Sequence, residues 1–167
     1  RQAFAHAIDR ETIAELYGPA GRPTTNNLVA PPPYNSPNIF YEFDLEQAKT
    51  LLDEAGWRDT DRDGVRDKDD VKMKVVFQTT VNESVQQTQQ IVKEDLESIG
   101  VEVELKIVDP SIMFGPGSAN PDSAPRFNAD LQEFAARSAS PDPSGYMQWW
   151  TCSRIPQQAN DWGVFLN

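Results

Sequence analysis

The clearest pattern of apolar and polar positions runs from residue 71 to residue 108. Val71, Met73, Val75 and Phe77 alternate with Lys72, Lys74 and Val76. A period of two places alternate side chains on opposite faces of a strand. Val85, Thr88, Val92, Leu96 and Ile99 then recur at helical spacing, and Gly100 closes that stripe. Val101, Val103, Leu105 and Ile107 alternate with Glu102, Glu104 and Lys106 as a second strand. Strand, helix and strand at this spacing predict a right-handed βαβ crossover. Val75, Phe77, Val92, Leu96, Val103 and Leu105 are expected to be buried together.

Ahead of this unit, residues 2–17 have a helical pattern in Phe4, Ile8, Ile13, Leu16 and Tyr17. Asp9, with Thr12 three residues on, predicts a cap inside the pattern, hence two short helices with a bend. Gly18-Pro19 stops the helix, and the prolines at 19, 23, 31, 32, 33 and 37 predict an irregular arm over 19–43. Asp44 and Gln47 read as a capping box for a helix with Leu45, Ala48, Leu52 and Ala55 along one face. Gly56 ends that helix in a left-handed cap, with Trp57 folding back onto its last turn.

Beyond residue 108 the signals weaken. Gly115, Pro116, Gly117, Pro121 and Pro125 mark 109–126 as a mobile loop, Phe127 to Phe134 as a further strand, and Tyr146 to Trp150 as the start of a helix. Residues 138–145 are turn-rich, and no internal repeat occurs.

The 167 residues suit one domain, and 38% hydrophobic with 25% charged is a globular balance. The formal charge of −11 argues against a nucleic-acid partner, which requires a basic surface. No apolar run is long enough to span a bilayer. No leader is read in these residues, since Arg1 opens directly into the helical pattern. Cys152 is the only cysteine, so no internal disulfide or cysteine zinc site is expected. His6, the only histidine, sits among alanines on a helix, where a structural role is the simpler reading. Asp130 and Glu133 are not an obvious catalytic pair, and no phosphate-binding loop, nucleophile elbow or zinc-protease motif occurs.

Several segments, in order, resemble the second large lobe of the family-5 solute-binding proteins, the oligopeptide-, dipeptide- and nickel-binding components of ABC importers. Arg1 to Arg10 resembles the opening pattern R-x-A-x-x-x-A-I-D-R, and Tyr17 to Pro23 the turn that follows it. Tyr41 to Trp57 is similar to Y-D-P-E-K-A-K-x-L-L-x-E-A-G-W, the most specific stretch. Leu96 to Glu104 matches L-x-x-I-G-I-x-V-E, and Ser140 to Pro143 stands where the family has its aspartate-proline loop. The resemblance implies an α/β fold, one lobe of a type II periplasmic-binding-protein-like architecture. It implies a mixed sheet built on the unit at 71–108, with flanking helices. Residues 1–167 would be one incomplete domain, with the other lobe and the closing helices missing. The implied protein is an extracytoplasmic binder of a solute, most often a peptide, in the periplasm or as a cell-surface lipoprotein. It would work as a monomer with a membrane permease and would not be an enzyme.

The resemblance also points to ligand contacts. Phe134 stands where relatives have a tryptophan, followed by a small pair, Ala135-Ala136. Arg137 then replaces an acidic residue that receives a peptide ammonium, a charge reversal suited to a carboxylate, unless Arg137 is a surface residue. Asp142 completes the candidate set. Trp149, Trp150 and Trp162 read as core or lobe-interface aromatics.

Separately, Asp59, Asp61, Asp63, Asp67 and Asp70, with Gly64 between them, approximate a calcium loop. Calcium takes about six to eight oxygens, and alternate residues of a tight turn can converge on one centre. The other reading is a solvated turn balanced by Arg58, Arg62, Arg66 and Lys68. No cofactor is expected beyond a possible structural Ca²⁺. From a different class, the alternative function is a calcium-stabilised extracellular structural or adhesive module.

Overall fold

The computed structural model describes residues 1–25, 34, 36–115, 120–126, 128–135, 142–148 and 151. The expectations for Phe127, Ala136, Arg137, Trp149, Trp150, Cys152 and Trp162 lie outside them. Two short helices come first, α1 (Gln2–Ala7) and α2 (Arg10–Leu16). The bend between them is set as expected: the Asp9 side chain accepts from Glu11 N, Thr12 N and Thr12 Oγ1. A 3₁₀ turn, Gly18–Ala20, and the irregular arm lead to α3 (Leu45–Glu54).

Asp44 caps α3 by accepting from Gln47 N at 2.9 Å. The reciprocal half of the expected capping box is not the one formed, because Asp44 N donates to the His6 carbonyl instead. His6 Nδ1 in turn bonds the Glu42 carbonyl, so the histidine helps to pin the arm to α1. On α3, Ala48 and Leu52 are buried and Leu45 and Leu51 pack beside them, while Ala55 is exposed in the last turn. Gly56 at φ +86° lets Trp57 N reach the Leu52 carbonyl, the expected left-handed closure.

A hairpin follows, β1 (Asp67–Lys68) and β2 (Val71–Lys72), antiparallel. Its two-residue turn has positive φ at both Asp69 and Asp70, the mirror-image geometry that fits strand twist. The strand expected from Val71 is thereby split, and the main strand β3 is Lys74–Thr80. Helix α4 (Glu83–Glu97) and strand β4 (Glu102–Val108) complete the crossover. β3 and β4 pair in parallel from Lys74 with Glu102 to Thr80 with Val108. Phe77, Val92, Leu96 and Val103 are buried in one core, with Val75 and Leu105 packed against it. Each fully buried Val or Leu contributes about 1.5–3 kcal/mol relative to exposure.

Strand β5 (Leu131–Gln132) pairs in parallel on the other side of β3. Among the described residues the sheet order is β4-β3-β5 and every pairing in it is parallel, with antiparallel pairing confined to the β1–β2 hairpin and the Arg58–Asp67 bridge. The second half of β3 is therefore central and buried although polar. Gln78 donates to the Asp122 carbonyl, and Thr79 Oγ1 to the Glu133 carbonyl. Gln89 on α4, itself buried, donates to the Phe77 carbonyl.

The described parts of 109–126 are not simply a loop. Asp109 caps a helical turn, α5 (Pro110–Met113), and Ala124–Arg126 form a 3₁₀ turn. Met113, Ser123 and Ala124 are buried, so this stretch packs a second, smaller core with Val108, Phe114 and Phe134. The last described helix is α6 (Ser144–Met147).

Candidate ligand cleft

Parallel strands bring all their C-terminal ends to one edge of the sheet, where binding crevices of open α/β sheets form. Here that edge carries a cleft of about 560 Å³. Thr80 at the end of β3 lines it, with Glu133, Phe134 and Ala135 just beyond β5. Asn82, Ser84 and Val85 line it from the start of α4, Tyr17 from the end of α2, and Phe114 from the end of α5. The wall is braced. Asn82 accepts from Ser84 N and Val85 N, capping α4. The Tyr17 hydroxyl is 3.0 Å from Thr88 Oγ1, which ties α2 to α4. Phe114 and Phe134 meet edge to face with ring centres 5.5 Å apart.

The sequence-predicted ligand residues divide here. Phe134 and Ala135 are in the cleft wall. Asp142 is not among the lining residues, and its carboxylate accepts from Ser144 N and Ser144 Oγ at the start of α6. Ala136 and Arg137 lie outside the described residues.

Glu133, weighed in the sequence only as half of a catalytic pair, lines the cleft. Its backbone is held on both sides, N–H to the Gln78 carbonyl and carbonyl to Thr79 Oγ1, so the β5 register continues through it. Burial pushes its carboxyl up to about 7, partly offset by a hydrogen bond with Thr88. Its Oε2 atom is buried with no hydrogen-bond partner. The available signal was parity: Glu133 shares the face of Leu131, a charged residue on an apolar side of a strand. Asp130 has a different job, accepting from Val76 N at 2.8 Å.

The acidic loop brings Asp59, Asp61 and Asp67 within 4.8 Å of one another. Asp63 and Asp70 are not in that group, and Asp70 sits in the hairpin turn. A side-chain cation is already present: Lys72 Nζ is 2.7 Å from Asp61, 2.8 Å from Asp63 and 3.8 Å from Asp67. The Asp59 carboxylate accepts from Asp63 N and Gly64 N, and Asp67 accepts from Thr60. These bonds and Lys72 fit the solvated-turn reading. Hydrogen bonds from Thr60 hold Asp67 below the usual carboxylate range, and those from Lys72 and Val65 do the same for Asp63. Lys72 is held well above its ordinary value by Asp61 and Asp63.

Residues 1–157 match the family model for bacterial extracellular solute-binding proteins, family 5, middle part. The chain belongs to that family. Its similarity to the oligopeptide-binding protein AppA of Bacillus subtilis is 33% identity over 118 residues, 68% of this chain and 22% of AppA. The solved structure of AppA in complex with a nonapeptide superposes with a TM-score of 0.69 at 30% identity, covering 85% of this chain and 28% of that one. The oligopeptide-binding protein of Thermus thermophilus, complexed with a pentapeptide, gives a TM-score of 0.63 at 30% identity, over 75% of this chain and 21% of that one. This family-5 chain thus spans less than a third of the length of these relatives.

Proposed function

We propose that this family-5 chain forms one wall of the ligand cleft in an extracytoplasmic receptor that captures peptides for an ABC importer. The observation that carries the reading is the cleft at the C-terminal ends of β3 and β5, lined by apolar Phe114 and Phe134 and by polar Thr80, Asn82 and Glu133. Apolar walls with a few fixed polar groups suit a ligand with side chains and a polar backbone. Relatives solved with a nonapeptide and a pentapeptide support the cargo class. In this reading a second lobe closes over the ligand, the receptor works as a monomer, and a membrane permease receives the cargo. The chain binds and does not catalyse: Asp130 and Glu133 serve separate roles, one in the sheet and one in the cleft.

Arg137 belongs to the same proposal. A guanidinium at this position, three residues after Phe134 in the sequence, would offer a peptide carboxylate charge-assisted bonds. Arg137→Asp in the whole receptor should weaken peptides anchored through a carboxylate, and an unchanged affinity for them removes Arg137 from the ligand.

The direct test of the function is native mass spectrometry of the receptor carrying this chain, purified without refolding. The expected adducts are peptides. Recovery of a sugar or a metal chelate as the bound species would refute the cargo. Against the rival calcium-stabilised module stands Lys72, whose ammonium already pairs with Asp61 and Asp63 in the acidic loop.

A further inference from the structure

We propose that Glu133 is the cation anchor of this cleft, receiving an ammonium or guanidinium group of the bound peptide at a carboxylate fixed at the end of β5. The inference rests on the peptide-cleft reading and gives it a preferred cargo, peptides with a positive charge near the cleft floor.

Three features of the site carry it. The position is rigid, since the Glu133 backbone is bonded to Gln78 and Thr79 on the central strand. The carboxylate is not consumed by the fold. Thr88 bonds it, but Oε2 is buried with no partner, a deficit that an incoming N–H donor removes. Among the described residues, the cleft lining holds no competing cation. Among those residues Tyr17 from α2 is the one other titratable group, and α4 and α5 contribute only Asn82, Ser84, Val85 and Phe114, while Arg137, the cation proposed above for a ligand carboxylate, lies outside them. Beside Glu133, Phe134 lines the cleft as an apolar surface on which the alkyl stem of a lysine or arginine can pack.

Proton linkage follows from the same burial. The carboxyl titrates at about 7, so below that pH a cationic ligand must displace its proton, and affinity falls about tenfold per pH unit. Above it the carboxylate is already ionised and affinity levels off.

The test uses the whole receptor, wild type and Glu133→Gln, with calorimetry at pH 6 and pH 8. Four probes separate the sources of charge: Ala-Ala-Lys-Ala-Ala and Ala-Ala-norleucine-Ala-Ala, each with a free and an acetylated N-terminus. The proposal expects wild type to favour at least one cationic form over the acetylated norleucine peptide by about tenfold at pH 8, and less at pH 6. Glu133→Gln, isosteric and checked for an intact melt, should erase that preference and its pH dependence while still binding the neutral peptide. The acetylated lysine peptide reports a side-chain cation, and the free norleucine peptide reports the terminal ammonium. Equal affinity of wild type and Glu133→Gln for all four probes overturns the anchor and leaves the peptide cleft standing. Binding of no probe by the wild type overturns both.

Discussion

Arg66 N donates to the Gly100 carbonyl at 2.8 Å, and the Arg66 side chain fills the space where a Cβ on Gly100 would stand, 2.9 Å from its Cγ. The same arginine donates from Nε to the Ile99 carbonyl, from Nη1 to the Trp57 carbonyl, and pairs with Asp53. One side chain thereby joins the C-terminal ends of α3 and α4 to the hairpin. Gly100 is at φ +87°, a conformation that L side chains resist. Gly100→Ala should therefore destabilise by about 2 kcal/mol, through strain plus displacement of Arg66. Gly56, at φ +86°, meets only the flexible Lys68 side chain at 3.4 Å, so Gly56→Ala should cost less, about 1 kcal/mol. Chemical denaturation of the two variants checks the order.

The acidic loop should respond little to calcium while Lys72 is present. An ion that binds only the folded state raises the melting temperature by mass action, but here it must compete with the ammonium held by Asp61 and Asp63. Lys72→Met leaves Asp59, Asp61 and Asp67 converging without their cation. That variant should melt lower and recover in millimolar Ca²⁺. Thermal melts with Ca²⁺ and with chelator decide it, and a large calcium shift in the wild type would favour the metal-loop reading.

Glu133 also predicts a stability slope with pH. Its folded value of about 7 lies above the ordinary 4.5, so the fold favours the protonated form. That stabilisation is complete below about pH 4.5 and is lost as pH rises through 7. Glu133→Gln should flatten the slope in this window by about 1–2 kcal/mol, after allowing for solvent screening of a half-buried group. The aspartates held low, Asp9, Asp63, Asp67, Asp109 and Asp142, act elsewhere. Their stabilisation is present above pH 3.8 and fades as pH falls below it. Urea denaturation of both proteins from pH 4.5 to 8 isolates the Glu133 window.

What was legible in the sequence was mostly local. Asp9 with Thr12, Asp44, Gly56 and Gly100 act within one helical turn, and each ends or starts a helix where its chemistry requires. The crossover was legible because its core alternates with a clear period. The losses are tertiary. The Asp44 N–H goes to His6, distant in sequence, so the second half of the capping box does not form. Met113 and Ala124 gave no periodic signal because they are buried by packing around Phe134, not by a regular face. Lys72 enters the acidic loop only because the hairpin turn at Asp69 and Asp70 folds it back. Of the site, Phe134 and Ala135 were named from resemblance, whereas Glu133 and Tyr17 enter the cleft through β5 pairing and the α2–α4 contact.

The central claim is that ligand occupies the cleft at the ends of β3 and β5. Ala135 is exposed on its wall, so a larger side chain there fills the cleft without entering the core. The most direct measurement is the affinity of the whole receptor for a defined pentapeptide, Ala-Ala-Lys-Ala-Ala, with Ala135 and with Ala135→Trp. The account predicts that the tryptophan abolishes binding while leaving the melting temperature unchanged. Unaltered affinity in a folded Ala135→Trp receptor would place the peptide elsewhere and contradict it.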